Sequence, residues 1–280
     1  MRLTGLLKIV IILNLFISSN LQGQNIPVIE NRYPLSIGET VEIYSTILDE
    51  SRTLNIYLPY GYSADSLKKY PVIYLLDGSM DEDFVHISGL VQFASFSWIN
   101  LIPETIVVGI SNVDRKRDFT FHAEDKGYKK EFPTSGNSSL FIDFIEKELQ
   151  PFVENNFNTD TLSILIGQSL GGLLATEILF KKPDLFDNYI IVSPSMWWDN
   201  ESLMKFTPKP YHSLKTIYIG VGKEGEIMER EARELYDKLK SISKGNTKLY
   251  FKFLDGQSHG DALHLAVYDA FETISISRKE

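Results

Sequence analysis

Gly167-Gln168-Ser169-Leu170-Gly171 constrains the architecture of this chain more than any other feature. Five apolar-rich residues, Leu162 to Ile166, precede it, and Gly172 to Phe180 follow with strong helix formers and no breaker before Pro183. A G-x-S-x-G pentapeptide between a strand and a helix is the setting in which a serine is held on a strained turn, its hydroxyl projecting above a sheet. The flanking glycines are expected because a Cβ at either position would meet the neighbouring strand or helix. The amide of Leu170 would then point at a substrate carbonyl and stabilise an oxyanion.

The rest of the chain fits a sheet that can carry such a turn. Val41 to Ile47 and Arg52 to Leu58 alternate apolar and polar and predict an antiparallel pair at one sheet edge. Continuous apolar runs then predict buried strands at Val72–Leu76, Thr105–Ile110, Leu162–Ile166, Tyr189–Val192, Thr216–Val221 and Leu249–Leu254. Helical stripes lie between and after them. Leu140, Phe141, Phe144, Ile145 and Leu149 mark a helix ending near Pro151; Ala232, Leu235, Tyr236 and Leu239 mark a second; Leu263, Ala266, Val267, Ala270 and Phe271 mark the last. The expected fold class is α/β, an α/β-hydrolase fold with a mostly parallel central sheet and helices on both faces. The segments 81–100 and 196–212 are the candidates for insertions that roof a cleft.

The amino terminus predicts export. Arg2 and Lys8 supply positive charge ahead of an apolar core, Ile9 to Ile17, too short to span a bilayer comfortably, and cleavage is expected after Gly23. Residues 1–23 would be a signal peptide and residues 24–280 a single domain, periplasmic or secreted, with no stable membrane association once the signal is removed; an uncleaved anchor is the alternative. There are no cysteines, which excludes disulfides and a cysteine-linked acyl anchor. The net charge of −9 and the lack of a basic run argue against nucleic acid as a partner.

A serine hydroxyl needs a base, and the base needs an orienting acid. In the order Ser, acid, His, the histidine falls after the last strand. His259, in Asp255-Gly256-Gln257-Ser258-His259-Gly260, fits, whereas His264 sits in helical sequence. The acid should follow the preceding strand, which makes Glu224 the candidate and Glu226 the fallback; a Ser-His dyad is the remaining option. A second oxyanion amide is expected from Gly78 or Ser79, after the strand ending at Leu76. Asp77 reads as a residue that braces that loop.

The motifs Tyr57-Leu58-Pro59-Tyr60-Gly61-Tyr62, Tyr70 to Gly78, Val107 to Asn112, Arg115-Lys116-Arg117-Asp118-Phe119-Thr120, Ile166 to Gly172 and Ser193-Pro194-Ser195-Met196-Trp197-Trp198 together resemble one family. From about Arg52 to Phe271 the chain is similar to the esterase family of α/β hydrolases, which includes esterase D-like enzymes, enterobactin-type siderophore esterases, feruloyl esterases and mycolyltransferases. The siderophore-esterase branch is the nearest in these motifs. The resemblance implies a Ser-acid-His hydrolase of carboxylic esters, without metal or cofactor, with Ser169 as nucleophile and His259 as base. It also implies that an arginine at Arg115 or Arg117 binds an anionic or catecholate substrate; a surface salt bridge with Asp114 or Asp118 is the other reading. Trp197 and Trp198 are expected either to line the acyl or leaving-group pocket or to form an aromatic cluster beneath the loop. Two positions depart from the family pattern: Gln168, where histidine is frequent, and Phe121, where proline usually continues the arginine motif. The partner is expected to be a small-molecule ester. An acyltransferase to a sugar or lipid, or a silent binding protein of the same fold, are the alternatives.

Overall fold

The structure, a computed structural model, describes residues 26–279. The expected signal segment therefore lies outside the described residues. Residues 26–36 carry no regular secondary structure, and a compact unit begins at Ile37.

The unit is built on one eight-stranded sheet in the order β1-β2-β4-β3-β5-β6-β7-β8. The strands are β1 (Gly38–Ser45), β2 (Glu50–Tyr57), β3 (Tyr70–Leu75), β4 (Ile106–Ile110), β5 (Thr159–Gln168), β6 (Asn188–Val192), β7 (Lys215–Gly222) and β8 (Thr247–Leu254). β2 runs antiparallel to both of its neighbours; every other pairing is parallel. Strand pleat divides the core in two. Val72, Tyr74, Val108, Leu165, Ile191 and Ile219 face one apolar cluster, while Ile73, Leu75, Val107, Ile166, Ile190 and Tyr218 face the other. Alternate residues of one strand bury into opposite layers, which is why these runs are apolar throughout.

The second cluster is closed by α1 (Phe84–Ser95) and the final helix, α9 (Ala262–Lys279), through Phe84, Ile87, Val91, Leu263, Ala266 and Val267. The segment 81–100 is thus largely a layer of the core and not a roof. The first cluster is covered by α4 (Ser138–Phe144), α6 (Leu170–Lys181), α7 (Trp198–Lys205) and α8 (Glu226–Ile242). Two short helices, α2 (Arg115–Phe119) and α3 (Lys126–Glu131), lie between β4 and α4. The stripe beginning at Leu140 does not end at Pro151. A π-helical turn, Ile145–Leu149, leads into α5 (Gln150–Asn156), with the amide of Gln150 bonded to Ile145 O. Widening the helix there accommodates a proline that has no N–H to donate.

Arg52 is the largest fully buried charged side chain among the described residues. Its side chain is 0% exposed, and Nη1 donates to Asp118 at 2.8 Å and to Glu50 at 2.7 Å. Arg117 closes the network onto Glu50 and Asp118.

Candidate active site

The carboxyl ends of the parallel strands share one rim of the sheet, and each contributes one loop to it, the position where open α/β sheets present ligand sites. Asp77 follows β3, Asn112 to Arg115 follow β4, Ser169 follows β5, Ser193 to Trp197 follow β6, Glu224 follows β7 and His259 follows β8.

Ser169 stands between β5 and α6 at φ 59°, ψ −120°, a conformation costly for any residue with a side chain. Its backbone is held on both sides: its amide donates to Val192 O at 3.1 Å, and its carbonyl accepts from Leu173 at 2.9 Å and Ser195 at 3.0 Å. A Cβ on Gly167 would lie 2.4 Å from Gly171 O, so the first glycine of the motif is required. The last, Gly171, is not: a Cβ there would make ordinary 3.4 Å contacts with Asp77 and Leu76. The tighter position is Gly172, where Cβ would meet Pro194 and Val192 O at 3.0 Å. Gly167→Ala is accordingly expected to lower stability by about 1–3 kcal/mol and to cut turnover through displacement of Ser169. Thermal unfolding compared with Gly171→Ala, which should be milder, checks this.

His259 Nδ1 lies 2.5 Å from Glu224 Oε2, and the Glu224 side chain is 1% exposed against 46% for His259. A carboxylate only accepts, so Nδ1 carries a proton, and in the neutral imidazole Nε2 is the nitrogen that keeps its lone pair. Glu224 also accepts from the Ser193 hydroxyl and, at 2.9 Å, from the amide of Gly222. Burial works to raise its pKa, but these bonds from His259, Ser193 and Gly222 outweigh burial and hold it below the usual carboxylate value. Glu226 begins α8, exposed, and takes no part. His264 lies in α9 with its ring stacked on His86 at 3.6 Å. Ser169, Ser195, Trp197, Glu224, Met228 and His259 line one open cleft of about 240 Å³. Among the described residues the Ser169 hydroxyl has one hydrogen-bond partner, Ser195 Oγ, at 3.3 Å. A long or absent Ser-His bond is common in unliganded sites and closes when substrate binds.

Two residues at this rim have unpaired amides. Leu170 opens α6, and neither its N–H nor that of Ser79 has a hydrogen-bond acceptor among the described residues. Gly78 is different: its amide donates to Ile110 O at 3.0 Å, so it is not available to an oxyanion. Gly78 is instead a crossing point, since a Cβ on it would lie 2.3 Å from Gly109 Cα. Its carbonyl is held by Asn55 Nδ2 of β2 at 2.9 Å.

The two arginines have protein partners. Arg115 binds Asp77 through Nε at 2.6 Å and Nη2 at 2.9 Å, and touches Gln168 O at 3.3 Å. Burial acts against its charge, but Asp77 outweighs burial and raises the pKa. This pair ties the β3 loop to the serine turn. The carboxylate is Asp77, on the loop after β3, not Asp114 or Asp118. Arg117 belongs to the Glu50–Asp118 network described above. The tryptophans divide. Trp197 lines the cleft, whereas Trp198 is 1% exposed, donates Nε1 to Phe121 O at 3.0 Å and packs with Tyr128 and Phe132. Trp198 therefore belongs to the cluster beneath the loop. The sequence reading missed Ser193, which stands at φ 44° immediately after β6 and supports Glu224. Its signal was available: a polar residue directly after a buried strand, at the same level as Asp77 and Ser169. Gln168 Nε2 donates to His259 O at 2.6 Å.

Among the described residues no group of three or more metal-ligating side chains comes together, and no helix is long and apolar enough to cross a membrane.

This strand order, with a serine on the strained turn after β5, defines an α/β-hydrolase fold. The chain belongs to the family described as "Putative esterase", whose model matches residues 45–262. It is 29% identical over 241 residues to the ferri-bacillibactin esterase BesA of Bacillus subtilis, covering 78% of this chain and 83% of that protein. An IroE-like serine hydrolase from Shewanella oneidensis superposes with a TM-score of 0.75 at 30% identity, over 84% of this chain and 79% of the other. The BES protein from Bacillus cereus gives 0.75 at 28% identity, over 89% and 99%. The chain is a carboxylic ester hydrolase.

Proposed function

We propose that Ser169, His259 and Glu224 form the catalytic triad of an exported serine esterase acting on siderophore-type or other small-molecule esters. The observation that carries this reading is the Glu224–His259 hydrogen bond at the rim of a cleft that also contains Ser169. His259 Nε2 takes the proton of the Ser169 hydroxyl as Oγ adds to the ester carbonyl. The Leu170 and Ser79 amides hold the oxyanion. The imidazolium then passes its proton to the departing alcohol, and water, deprotonated in turn by His259, releases the acid. Glu224 stabilises the imidazolium throughout. The substrate class is supported by the esterase relatives and by the open cleft, whose Trp197 and Met228 suit a bulky aromatic or acyl group. Export rests on the amino-terminal sequence pattern alone, and detection of the protein cleaved after Gly23 outside the cytoplasm would test it.

The activity test is hydrolysis of p-nitrophenyl esters of graded chain length beside a triscatecholate trilactone. Turnover of the trilactone above the simple esters supports the siderophore class; turnover of simple esters alone removes it while leaving the triad standing. Glu224→Gln should reduce kcat by about 100-fold less than His259→Ala does, because the acid orients a base that the histidine itself supplies. Equal losses would mean that Glu224 does more than orient.

A further inference from the structure

The base stands on a loop with little packing of its own. Leu254 and Ala262 are buried, and between them every residue from Asp255 to Asp261 is exposed except the half-buried Gln257. The bonds Gln257 N to Leu254 O and Ser258 N to Asp261 Oδ1 are internal to this segment, and Lys223 N to Gln257 O ties it to the β7 loop. Glu224, also on the β7 side, fixes the ring at Nδ1. From the nucleophile's side there is a single hydrogen bond among the described residues: Gln168 Nε2 to His259 O, at 2.6 Å.

Gln168 is the last residue of β5 and the immediate neighbour of Ser169. Its main chain is in register with Val192 of β6, and its carbonyl is touched by Arg115. Its amide group therefore extends from a rigid strand end. A ring held only at Nδ1 can still swing with its backbone, and Nε2 would move with it. With the carbonyl clamped as well, the Cα–Cβ axis is fixed from two strands, and the distance of Nε2 from Ser169 Oγ follows.

Resting on the assignment of His259 as base, we propose that Gln168 is a positioning residue that sets the base at its working distance from Ser169 by holding the His259 carbonyl. The chemistry demands a donor: a carbonyl accepts only, so a side chain of the same length without an N–H cannot replace it.

The test uses the full chain with Gln168→Met, Gln168→His and the double variant Gln168→Met/His259→Ala, assayed on a p-nitrophenyl ester and by the rate of fluorophosphonate labelling. Gln168→Met should lower kcat and the labelling rate together by about 10–100-fold, with KM unchanged, because a displacement of about 1 Å costs up to this much. Gln168→His, which restores a ring N–H, should recover most of the loss. In the His259→Ala background Gln168→Met should have no further effect, since both changes act through one group. Wild-type kcat in Gln168→Met, a change confined to KM, a loss matched by a fall in Tm and not recovered by histidine, or additive losses in the double variant would each overturn the proposal. If His259→Ala itself keeps wild-type turnover, the base assignment falls; if His259→Ala is inert and Gln168→Met is fully active, only the positioning role falls.

Discussion

Ser169→Ala is expected to lower kcat/KM on an activated ester by about 10,000-fold or more. At about 1.36 kcal/mol per tenfold, this is upwards of about 5 kcal/mol of transition-state stabilisation. The loss is chemical and not structural. The Ser169 side chain makes one hydrogen bond, a 3.3 Å contact with Ser195 Oγ, while the bonds that hold the turn come from its main chain and survive the substitution. Tm should therefore stay within a few degrees of wild type. What activity remains would come from the Leu170 and Ser79 amides acting on a bound ester attacked directly by water. Steady-state kinetics with intact-mass analysis after fluorophosphonate treatment decides the matter. A variant that retains more than a few per cent of turnover, or that is still labelled at the wild-type rate, has its nucleophile elsewhere.

The largest stability effect is expected far from the cleft. Arg52→Met removes a fully buried guanidinium that serves Asp118 at 2.8 Å, Glu50 at 2.7 Å and Ser111 O at 3.2 Å, and lies 5.1 Å from the Phe141 ring centre. Methionine fills part of the volume but leaves Asp118, 1% exposed, with Arg117 as its remaining cationic partner. Breaking a buried pair from one side costs about 3–5 kcal/mol. At about 2–4 °C per kcal/mol for a chain of this size, Tm should fall by about 6–20 °C. Arg52→Lys should fall between the two, because one ammonium cannot reach three acceptors spread around a planar fork. Calorimetric scans of the three proteins test the ordering. A methionine variant as stable as wild type would mean that the network is balanced by its own desolvation. Asp118 belongs to α2, which also carries Arg115, so a modest loss of turnover should accompany the loss of stability.

The central strands were legible because burial on both faces writes itself as unbroken apolar runs, β8 by its apolar run although it is only partly buried, and the alternation in β1 and β2 correctly marked an antiparallel edge pair. The strand order was not legible: nothing in Ile106–Ile110 says that it lies between β2 and β3. Pro151 misled because the compensating π turn is a property of Gln150 and Ile145 geometry and has no composition signal. The site divided in the same way. The pairing of His259 with Glu224 could be anticipated from their places after the last two strands, since chain order and loop position are sequence properties. The availability of an amide is not. Gly78 and Ser79 are equivalent in sequence, and only the bond from Gly78 to Ile110 separates them. Trp197 and Trp198 are adjacent and identical, and only the direction of the chain after Ser195 sends one to the cleft and the other to the core. Arg117 pairs with its neighbour Asp118, as one of the two sequence readings expected, whereas Asp77 for Arg115 and Glu50 for Arg117 are distant in sequence and neighbour-based reading could not reach them.

Asp77, Ser169 and Ser193 each leave a strand in the left-handed region, on three neighbouring strands of the sheet. None is glycine, so each is held there by the bonds around it. A polypeptide leaving a strand this way turns sharply at the rim instead of running on, so the loops begin at one level and brace their neighbours, as Arg115 does Asp77 and Ser193 does Glu224. The sheet becomes a frame and the loops a fringe. Replacement of Trp197 alone, which leaves Ser193 and Ser195 bonded to Glu224 and Ser169, would change one wall of the cleft without rebuilding the other five loops. A lineage that inherits such a frame can move between substrates by small, separable steps, each leaving the inherited chemistry in place.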